Sequence, residues 1–248
     1  PESRLQIVPG GRKTDGSEGS RCGLPGTDRT NDERMDGSLK IKVCGLRDPG
    51  NIELVCRLNP DFVGYIFYPR SKRYVGARPD PAIFRIPAKP VRKVGVFVNE
   101  EITVVRRKFE EYGLDMVQLH GSEPPEYCRD LSFSGVPVIR ALTPGRIALQ
   151  AQIAAYAEIA GHFLFDRGGK EFGGTGNKFN WDLLRTYSVP VPFILSGGIA
   201  PEDVSRIGKL DHKWLYGVDL NSRFESAPGI KKVDLLKHFI AGIRQTEK

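Results

Sequence analysis

Two residues far apart in the chain have side chains that can move a proton, and each ends a short apolar segment. Cys44 ends the alternating run at 40–44, and Asp166 follows Phe-Leu-Phe at 163–165. A thiol and a carboxyl group on either side of one substrate are suited to general acid–base catalysis. Each also has a structural alternative, because most free cysteines are small buried apolar groups and an aspartate here could cap a helix. Gly45 predicts a sharp turn that leaves the thiol room.

Two further segments predict a site for an anion. Gly197 and Gly198 follow one apolar run, while Asp219, Asn221 and Ser222 lie at the end of another. The glycines let backbone N–H groups approach a phosphate closely, and the second segment adds N–H donors and a hydroxyl. The alternative is a pair of ordinary tight turns, but the position of both segments late in an alternating chain favours a phosphate cradle.

Arg73 and His120 are candidates for contact with the rest of a substrate. Arg73 lies in a polar, basic loop, and its planar guanidinium suits a ligand that carries a carboxylate; the alternative is a solvated surface charge. His120 either lines the same pocket or hydrogen-bonds within its rim, and we do not expect it to be a catalyst.

These residues must be positioned by an alternation of strands and helices from Lys40 onward. Apolar runs predict eight strands, each followed by a helical segment, which favours a single (β/α)8 TIM barrel over an open doubly wound sheet. The residues after the strands would then share one face. Among the predicted helices are four at 78–86, 147–160, 181–187 and 201–207.

Composition narrows the class of protein. The 248 residues are 40% apolar and 27% charged, with a formal net charge of +7, and no apolar run is long enough to span a bilayer. The basic excess suits anionic substrates, but no arginine-rich block or nucleic-acid motif occurs. The four cysteines form neither a CxxC pair nor a metal-ligand pattern. We therefore expect a cytoplasmic protein with no metal, no membrane contact and no nucleic-acid partner.

Residues 1–36 differ from the remainder. They contain scattered charge, six glycines and few apolar residues, without helical or strand periodicity. The composition predicts a disordered extension, or a remnant of upstream or fused sequence before Met35, ahead of a catalytic barrel at 37–248.

Six sequence blocks, in order, resemble those of the phosphoribosylanthranilate isomerase family, and the resemblance spans about residues 40–243. The blocks are Lys-Val-Cys-Gly (42–45), Gly-Tyr-Ile-Phe-Tyr-Pro-Arg-Ser-Lys-Arg-Tyr (64–74), Val-Gly-Val-Phe-Val-Asn (94–99), Val-Gln-Leu-His-Gly (117–121), Gly-Gly-Thr-Gly with Phe-Asn-Trp (173–176 and 179–181) and Leu-Ser-Gly-Gly-Ile (195–199).

The resemblance implies a cofactor-free Amadori rearrangement of N-(5-phosphoribosyl)anthranilate in tryptophan biosynthesis, by a monomer or homodimer. It implies that Asp166 is the general acid, Cys44 the general base, and that Arg73 faces the anthranilate carboxylate. It also implies that a glycine-rich loop covers the site, with Gly173, Gly174 and Gly176 contacting substrate.

These roles carry expectations about ionisation. An acid that works near neutrality should have a raised pKa, so we expect Asp166 in a partly desolvated place. Cys44 should be drawn toward thiolate by nearby positive charge. Arg223 stands where the family more often has glycine, so its backbone should avoid a glycine-only conformation. Lys178 lies one place later than a lysine common in the family loop.

Two alternatives remain from the residues. One is another phosphosugar barrel enzyme, such as a histidine-pathway aminoaldose isomerase that uses two aspartates; the pairing of Cys44 with Asp166 disfavours it. The other is a catalytically silent barrel that binds a phosphorylated metabolite. Loss of Cys44 or Asp166 would have indicated that alternative, and both are present.

Overall fold

Eight parallel strands close into a barrel in the computed structural model, which describes residues 38–145, 148–167 and 178–246. The strands follow sequence order, and the last pairs with the first through Lys42 and Asp219. The predicted TIM barrel is therefore confirmed. The strands are β1 (Lys40–Cys44), β2 (Phe62–Ile66), β3 (Arg92–Phe97), β4 (Met116–Leu119), β5 (Val138–Leu142), β6 (His162–Phe165), β7 (Phe193–Leu195) and β8 (Leu215–Leu220). The segment 1–36, predicted to be disordered, lies outside the described residues.

Helices and short 3₁₀ turns connect the strands. The helices are α1 (Pro49–Cys56), α2 (Ile102–Glu111), α3 (Pro125–Phe133), α4 (Leu149–Tyr156), α5 (Val204–Gly208) and α6 (Val233–Thr246). The 3₁₀ turns are Pro81–Phe84, Trp181–Thr186, Pro201–Asp203 and Ser222–Phe224. In the part of the chain that the structure describes, no helix is both long and apolar enough to cross a membrane.

Side chains alternate between the two faces of each strand, and this sets which of them reach the barrel interior. In β1, Ile41 and Val43 join the apolar layer between strands and helices, whereas Lys42 meets Asp219 inside the barrel. Seven inward residues fill the barrel with a separate apolar cluster: Phe62, Val94, Met116, Ile139, Leu164, Ile194 and Tyr216. Val96 and Gln118, two residues further along their strands than members of this cluster, line the pocket above it.

Four predicted helices differ from the structure in length or type. The segment 78–86 contains only the turn Pro81–Phe84, because its prolines remove backbone donors and restrict the preceding residues. The segment 181–187 is also a 3₁₀ turn, and 201–207 is a 3₁₀ turn followed by α5. The alanine-rich prediction at 147–160 shortens to Leu149–Tyr156.

A small hairpin after β8 was not predicted. Its strands are β9 (Glu225–Ala227) and β10 (Ile230–Lys231), and Gly229 turns between them with φ of 88°. Phe224, immediately before the hairpin, is fully buried and packs edge-on against Phe239 of α6, with ring centroids 5.1 Å apart. The hairpin is therefore fixed to the outer helical layer at one end.

Candidate active site

A concave pocket opens at the carboxyl ends of the strands, where the active sites of such barrels lie. Every predicted site residue that the structure describes lines it: Cys44, Arg73, His120, Asp166, Gly197, Gly198, Asp219, Asn221 and Ser222. The predicted loop contacts Gly173, Gly174 and Gly176 lie outside the described residues.

Cys44 lies at the end of β1 with 3% of its surface exposed. Gly45 turns the chain with φ of 79°, as predicted, but the room for the thiol comes from a different glycine. A Cβ at Gly64 would lie 2.7 Å from Cys44 Sγ, whereas a Cβ at Gly45 would meet the stem of Arg73. The lack of a side chain at Gly45 therefore leaves space for Arg73, and the lack of one at Gly64 leaves space for the sulfur of Cys44.

Lys42 is a fully buried charge that the sequence reasoning missed. Its Nζ is 2.9 Å from Asp219 Oδ1, and its charge acts on the nearby side chain of Cys44. Ser196 Oγ is 3.2 Å from the other oxygen of Asp219. The sequence contained the information to predict this position, because residues two apart on a strand share a face. Lys42 therefore had to point into the barrel beside Cys44.

The ionisation of Cys44 is set by two opposing effects. Burial raises the pKa of the thiol, while the Lys42 ammonium lowers it, and burial prevails so that the pKa is raised overall. For Lys42, burial lowers the pKa, but Asp219 and Cys44 outweigh it and leave the pKa raised. The expected positive charge is therefore present, yet the free protein holds Cys44 as a thiol at neutral pH.

Asp166 directly follows β6 and contacts His120 in the pocket. His120 Nε2 is 3.3 Å from Asp166 Oδ2, and the other ring nitrogen is 2.8 Å from Gln118 Nε2. Gln118 is buried on β4, two residues before His120. The imidazole thus bridges a barrel amide and the carboxylate, a contact that sequence alone did not indicate.

The pKa of Asp166 differs from the expectation. Burial raises it, but the hydrogen bond and charge of His120, the Arg167 backbone N–H and the charge of Lys42 outweigh burial and leave the pKa lowered. The sequence-based prediction of a raised pKa was wrong, because it counted desolvation and not the donors that stabilise the carboxylate. The free site therefore holds Asp166 ionised.

Arg73 reaches the pocket from the loop after β2, but part of its guanidinium is already engaged. Its Nε lies 2.9 and 3.0 Å from the two carboxylate oxygens of Glu225, and its Nη2 lies 2.6 Å from Oε2. Arg73 lines the pocket and Glu225 does not. The remaining edge of the guanidinium, formed by Nη1 and Nη2, is the one left to meet a ligand.

The opposite wall matches the predicted anion cradle in its backbone. Gly197 and Gly198 both have positive φ, 83° and 77°, which favours glycine at each. The N–H of Ala200, at the following 3₁₀ turn, is already bound by Asp203 at 2.8 Å. The backbone N–H of Ala200 is therefore already engaged, and Gly197 and Gly198 stay the predicted anion donors of this segment.

The structure also describes two residues at which the sequence departs from the family pattern, Arg223 and Lys178. Arg223 is exposed within the turn Ser222–Phe224 and is not among the described residues with positive φ, as predicted. Lys178 does not enter the pocket lining and instead binds Asp203 Oδ2 at 2.8 Å and Glu202 at 3.6 Å.

Comparison with known proteins agrees with this geometry. A family model described as N-(5'phosphoribosyl)anthranilate (PRA) isomerase matches residues 41–242. Proteins of that name from Parabacteroides distasonis and Phocaeicola vulgatus are 43% and 38% identical over 82% and 83% of this chain, and 92% and 98% of their own. The crystal structure of the Thermus thermophilus isomerase aligns with TM-score 0.71 and 30% identity over 84% of this chain and 99% of its own. The Thermotoga maritima isomerase aligns with TM-score 0.70, 32% identity and the same coverage. The chain belongs to the N-(5'-phosphoribosyl)anthranilate isomerase family.

Proposed function

We propose that Cys44 and Asp166 are the general base and general acid of this isomerase. The chain is an Amadori-type aldose–ketose isomerase of tryptophan biosynthesis, converting N-(5'-phosphoribosyl)anthranilate to 1-(2-carboxyphenylamino)-1-deoxyribulose 5-phosphate. The observation that carries the assignment of roles is that both groups line one pocket from β1 and β6, on either side of the barrel mouth.

The rearrangement requires that the protein donate one proton to the substrate and remove another from it. Asp166 donates its proton to the furanose ring oxygen, the bond from that oxygen to C1 breaks, and the anthranilate nitrogen forms a protonated Schiff base. Cys44 then removes the proton from C2, and the electron pair moves into C1=C2 while the C=N bond returns its electrons to nitrogen. The resulting enolamine tautomerises to the ketone. Turnover leaves Cys44 as a thiol and Asp166 as a carboxylate, which is the ionisation that the resting site favours.

Each cycle must therefore return a proton from the thiol to the carboxylate. The charge of Lys42 lowers the pKa of both groups, so it stabilises the thiolate and the carboxylate alike. A carboxyl group that has given up its hydrogen bond to His120 is a stronger proton acceptor, and contact with the sugar ring oxygen can displace that bond. Binding of substrate would then move the proton to Asp166 at the point where it is needed.

The rest of the pocket is suited to the two ends of the substrate. Arg73 carries the positive charge that would meet the anthranilate carboxylate. Gly197 and Gly198 would donate to the phosphate together with Ser222, and His120 would line the pocket between the two ends. The role of Asp219 is to hold Lys42 in place. Contacts from Gly173, Gly174 and Gly176 remain a prediction.

The test is loss of phosphoribosylanthranilate fluorescence with wild-type protein and with Cys44→Ala and Asp166→Asn. Each substitution should lower kcat by about 10²- to 10⁴-fold, the usual contribution of a general acid or base. Cys56→Ala is the matched control, since Cys56 lies on α1 outside the pocket. A wild type that leaves the substrate unconsumed would contradict the activity, and unchanged turnover in either variant would contradict that residue's role.

The oligomeric state and the cellular compartment are further parts of the proposal. One solved Thermotoga maritima isomerase is described as dimeric, and we propose a monomer or homodimer here. Cys44, Cys56 and Cys128 are free thiols, and a thiol base requires a reducing compartment, which supports the cytoplasm. Light scattering on the purified protein decides the first point.

A further inference from the structure

A bidentate contact between Arg73 and Glu225 determines which part of the guanidinium faces the pocket. A guanidinium has two edges that can each bind a carboxylate with two parallel hydrogen bonds. Glu225 occupies the edge formed by Nε and Nη2, at 2.9 and 2.6 Å. Both side chains are largely buried, with 12% of Arg73 and 5% of Glu225 exposed. The edge formed by Nη1 and Nη2 is left for a second carboxylate.

Glu225 is itself fixed by two donors other than Arg73. Its Oε1 accepts a hydrogen bond from Lys231 Nζ at 2.7 Å and from the backbone N–H of Gly229 at 3.1 Å. These contacts come from β10 and from the turn of the hairpin to which Glu225 belongs. The carboxylate therefore has no freedom to follow Arg73, and it holds the guanidinium in one orientation.

Lys231 is anchored in turn. Its side chain is fully buried, and its Nζ also donates to Asn221 Oδ1 at 2.7 Å. Its backbone N–H and C=O both bind the side-chain amide of Asn51, at 2.7 and 2.9 Å. Asn51 lies on α1, so the chain of contacts that ends at Arg73 begins in the outer helical layer.

Two basic side chains in this cluster share one carboxylate. Arg73 and Lys231 both contact Glu225, while the neighbouring Lys42 is paired with Asp219. Burial lowers the pKa of Lys231, and the contact with Glu225 opposes that shift. An anion at the pocket edge of Arg73 gains a charge-assisted hydrogen bond without having to displace Glu225.

We infer that Glu225, braced by Lys231, is a positioning residue for recognition of the substrate carboxylate. It takes one edge of Arg73 and so presents the other edge to the anthranilate ring's carboxylate. This rests on the assignment of Arg73 in the proposed function. Glu225 touches no reacting atom, and its effect is on selectivity between substrates with and without that carboxylate.

The experiment compares two substrates: phosphoribosylanthranilate and the N-(5'-phosphoribosyl)aniline made from aniline and ribose 5-phosphate, which lacks the carboxylate. The ratio of kcat/KM values, followed by chromatography of quenched samples, measures the preference. Wild type should prefer the carboxylate by about 10- to 100-fold, the range for a hydrogen bond to a charged group. Glu225→Gln should lower that ratio by about fivefold or more, through a higher KM for phosphoribosylanthranilate, while activity on the aniline substrate changes less than about twofold.

Two variants separate orientation from charge. Glu225→Asp keeps the charge but is one methylene too short to span Arg73 and Lys231, so it should also lose preference. Ser226→Ala is the matched hairpin control; it removes the 3.4 Å contact with Ile230 and leaves Arg73 untouched, so its ratio should equal that of wild type. Activity on the aniline substrate reports whether each variant is folded, and either Glu225 variant suffices for the test.

The outcomes are distinct. If Glu225 acted only by its charge, Glu225→Gln would raise the preference and Glu225→Asp would leave it unchanged, and either result overturns the inference. Full preference in both variants, with loss of preference in Arg73→Met, also overturns it while leaving the role of Arg73 intact. Full preference in Arg73→Met would overturn both, and a wild type inactive on both substrates would overturn the proposed function as well.

Discussion

The sulfur of Cys44 occupies space that only a glycine on the neighbouring strand can leave. Cys44 and Gly64 are direct partners in the β1–β2 ladder. A Cβ at Gly64 would lie 2.7 Å from Sγ and 3.1 Å from the Cα of Cys44. Gly64 has no positive φ, so its backbone would accept any residue, and the restriction is one of space alone. On the β2 side, the thiol of Cys44 is thus packed against the backbone of Gly64 rather than against a side chain.

We predict that Gly64→Ala lowers kcat by about tenfold or more, because the added methyl group must displace the thiol from its present place. A displacement near 1 Å in a reacting group has costs of this size. Overpacking should also lower the free energy of unfolding by about 1–3 kcal/mol. Steady-state kinetics and urea denaturation measure the two effects.

Gly50→Ala on α1 is the control for this substitution. The nearest heavy atom to its Cβ would be 3.6 Å away, an ordinary contact, so activity and stability should be close to wild type. A Gly64→Ala enzyme with wild-type kcat would show that the position of the thiol is not limited by this contact.

The barrel was predictable because its signal is local. Apolar runs alternate with helical segments, and the rule that site residues follow parallel strands then places Cys44, Asp166 and Asp219 on one face. Helix type was less predictable, since the turns Pro81–Phe84 and Trp181–Thr186 depend on how short connections fit over the barrel.

The partners of the site residues were the part that sequence could not supply. Glu225 lies 152 positions from Arg73, and Asp219 lies 177 positions from Lys42. Nothing in either local pattern indicates these contacts, which arise only when β8 closes on β1. The wrong expectation for Asp166 has the same origin, because a main donor that lowers its pKa is His120, which follows another strand, β4.

A buried ion pair holds the turn that carries His120. Arg140 Nη1 is 2.6 Å from Glu123 Oε2, with 7% and 2% of the side chains exposed. The same guanidinium donates to the carbonyls of Leu119 and Gly121, on either side of His120. We predict that Glu123→Gln lowers the free energy of unfolding by about 3 kcal/mol, because it leaves the buried guanidinium without its counter-charge.

The control is a pair on the surface. Arg57 and Glu53 are 3.9 Å apart with 72% and 57% of their side chains exposed, and Glu53→Gln should change stability by less than about 0.5 kcal/mol. Urea denaturation of both variants makes the comparison. Equal effects would show that the Glu123 pair is not a structural clamp.

Lys42→Met should lower kcat by about 100-fold and raise the pKa of Cys44 further, since it removes the cation that stabilises the thiolate. It should also destabilise the fold, because Asp219 is left buried without its partner. The double variant Lys42→Met/Asp219→Asn should recover stability but not activity. Carbamidomethylation of Cys44 by iodoacetamide, followed by mass spectrometry as a function of pH, reports the thiol directly.

Lys40→Met is the matched control for Lys42. Lys40 lies on the same strand, pairs with Asp61 at 3.7 Å and does not line the pocket. Its alkylation profile and kcat should match those of wild type. A Lys42→Met enzyme whose Cys44 is alkylated as readily as in wild type would contradict the role of the ammonium.

The pH dependence should distinguish a shared proton from two independent groups. The resting pair holds its one proton on Cys44, whereas the working arrangement holds it on Asp166, and both arrangements carry the same number of protons. Their ratio is therefore constant between the two pKa values, and kcat/KM, which reports the groups of the free protein, should be flat there.

The pKa of Cys44 lies above its usual 9.0, so kcat/KM in wild type should fall only when the pH rises past that raised pKa and the shared proton is lost. In Asp166→Asn no acid remains to be kept protonated, so the residual kcat/KM should instead rise with pH as the thiolate forms. A wild-type kcat/KM that rises through the same range would contradict the shared proton, because it would mean that forming the thiolate alone limits the rate.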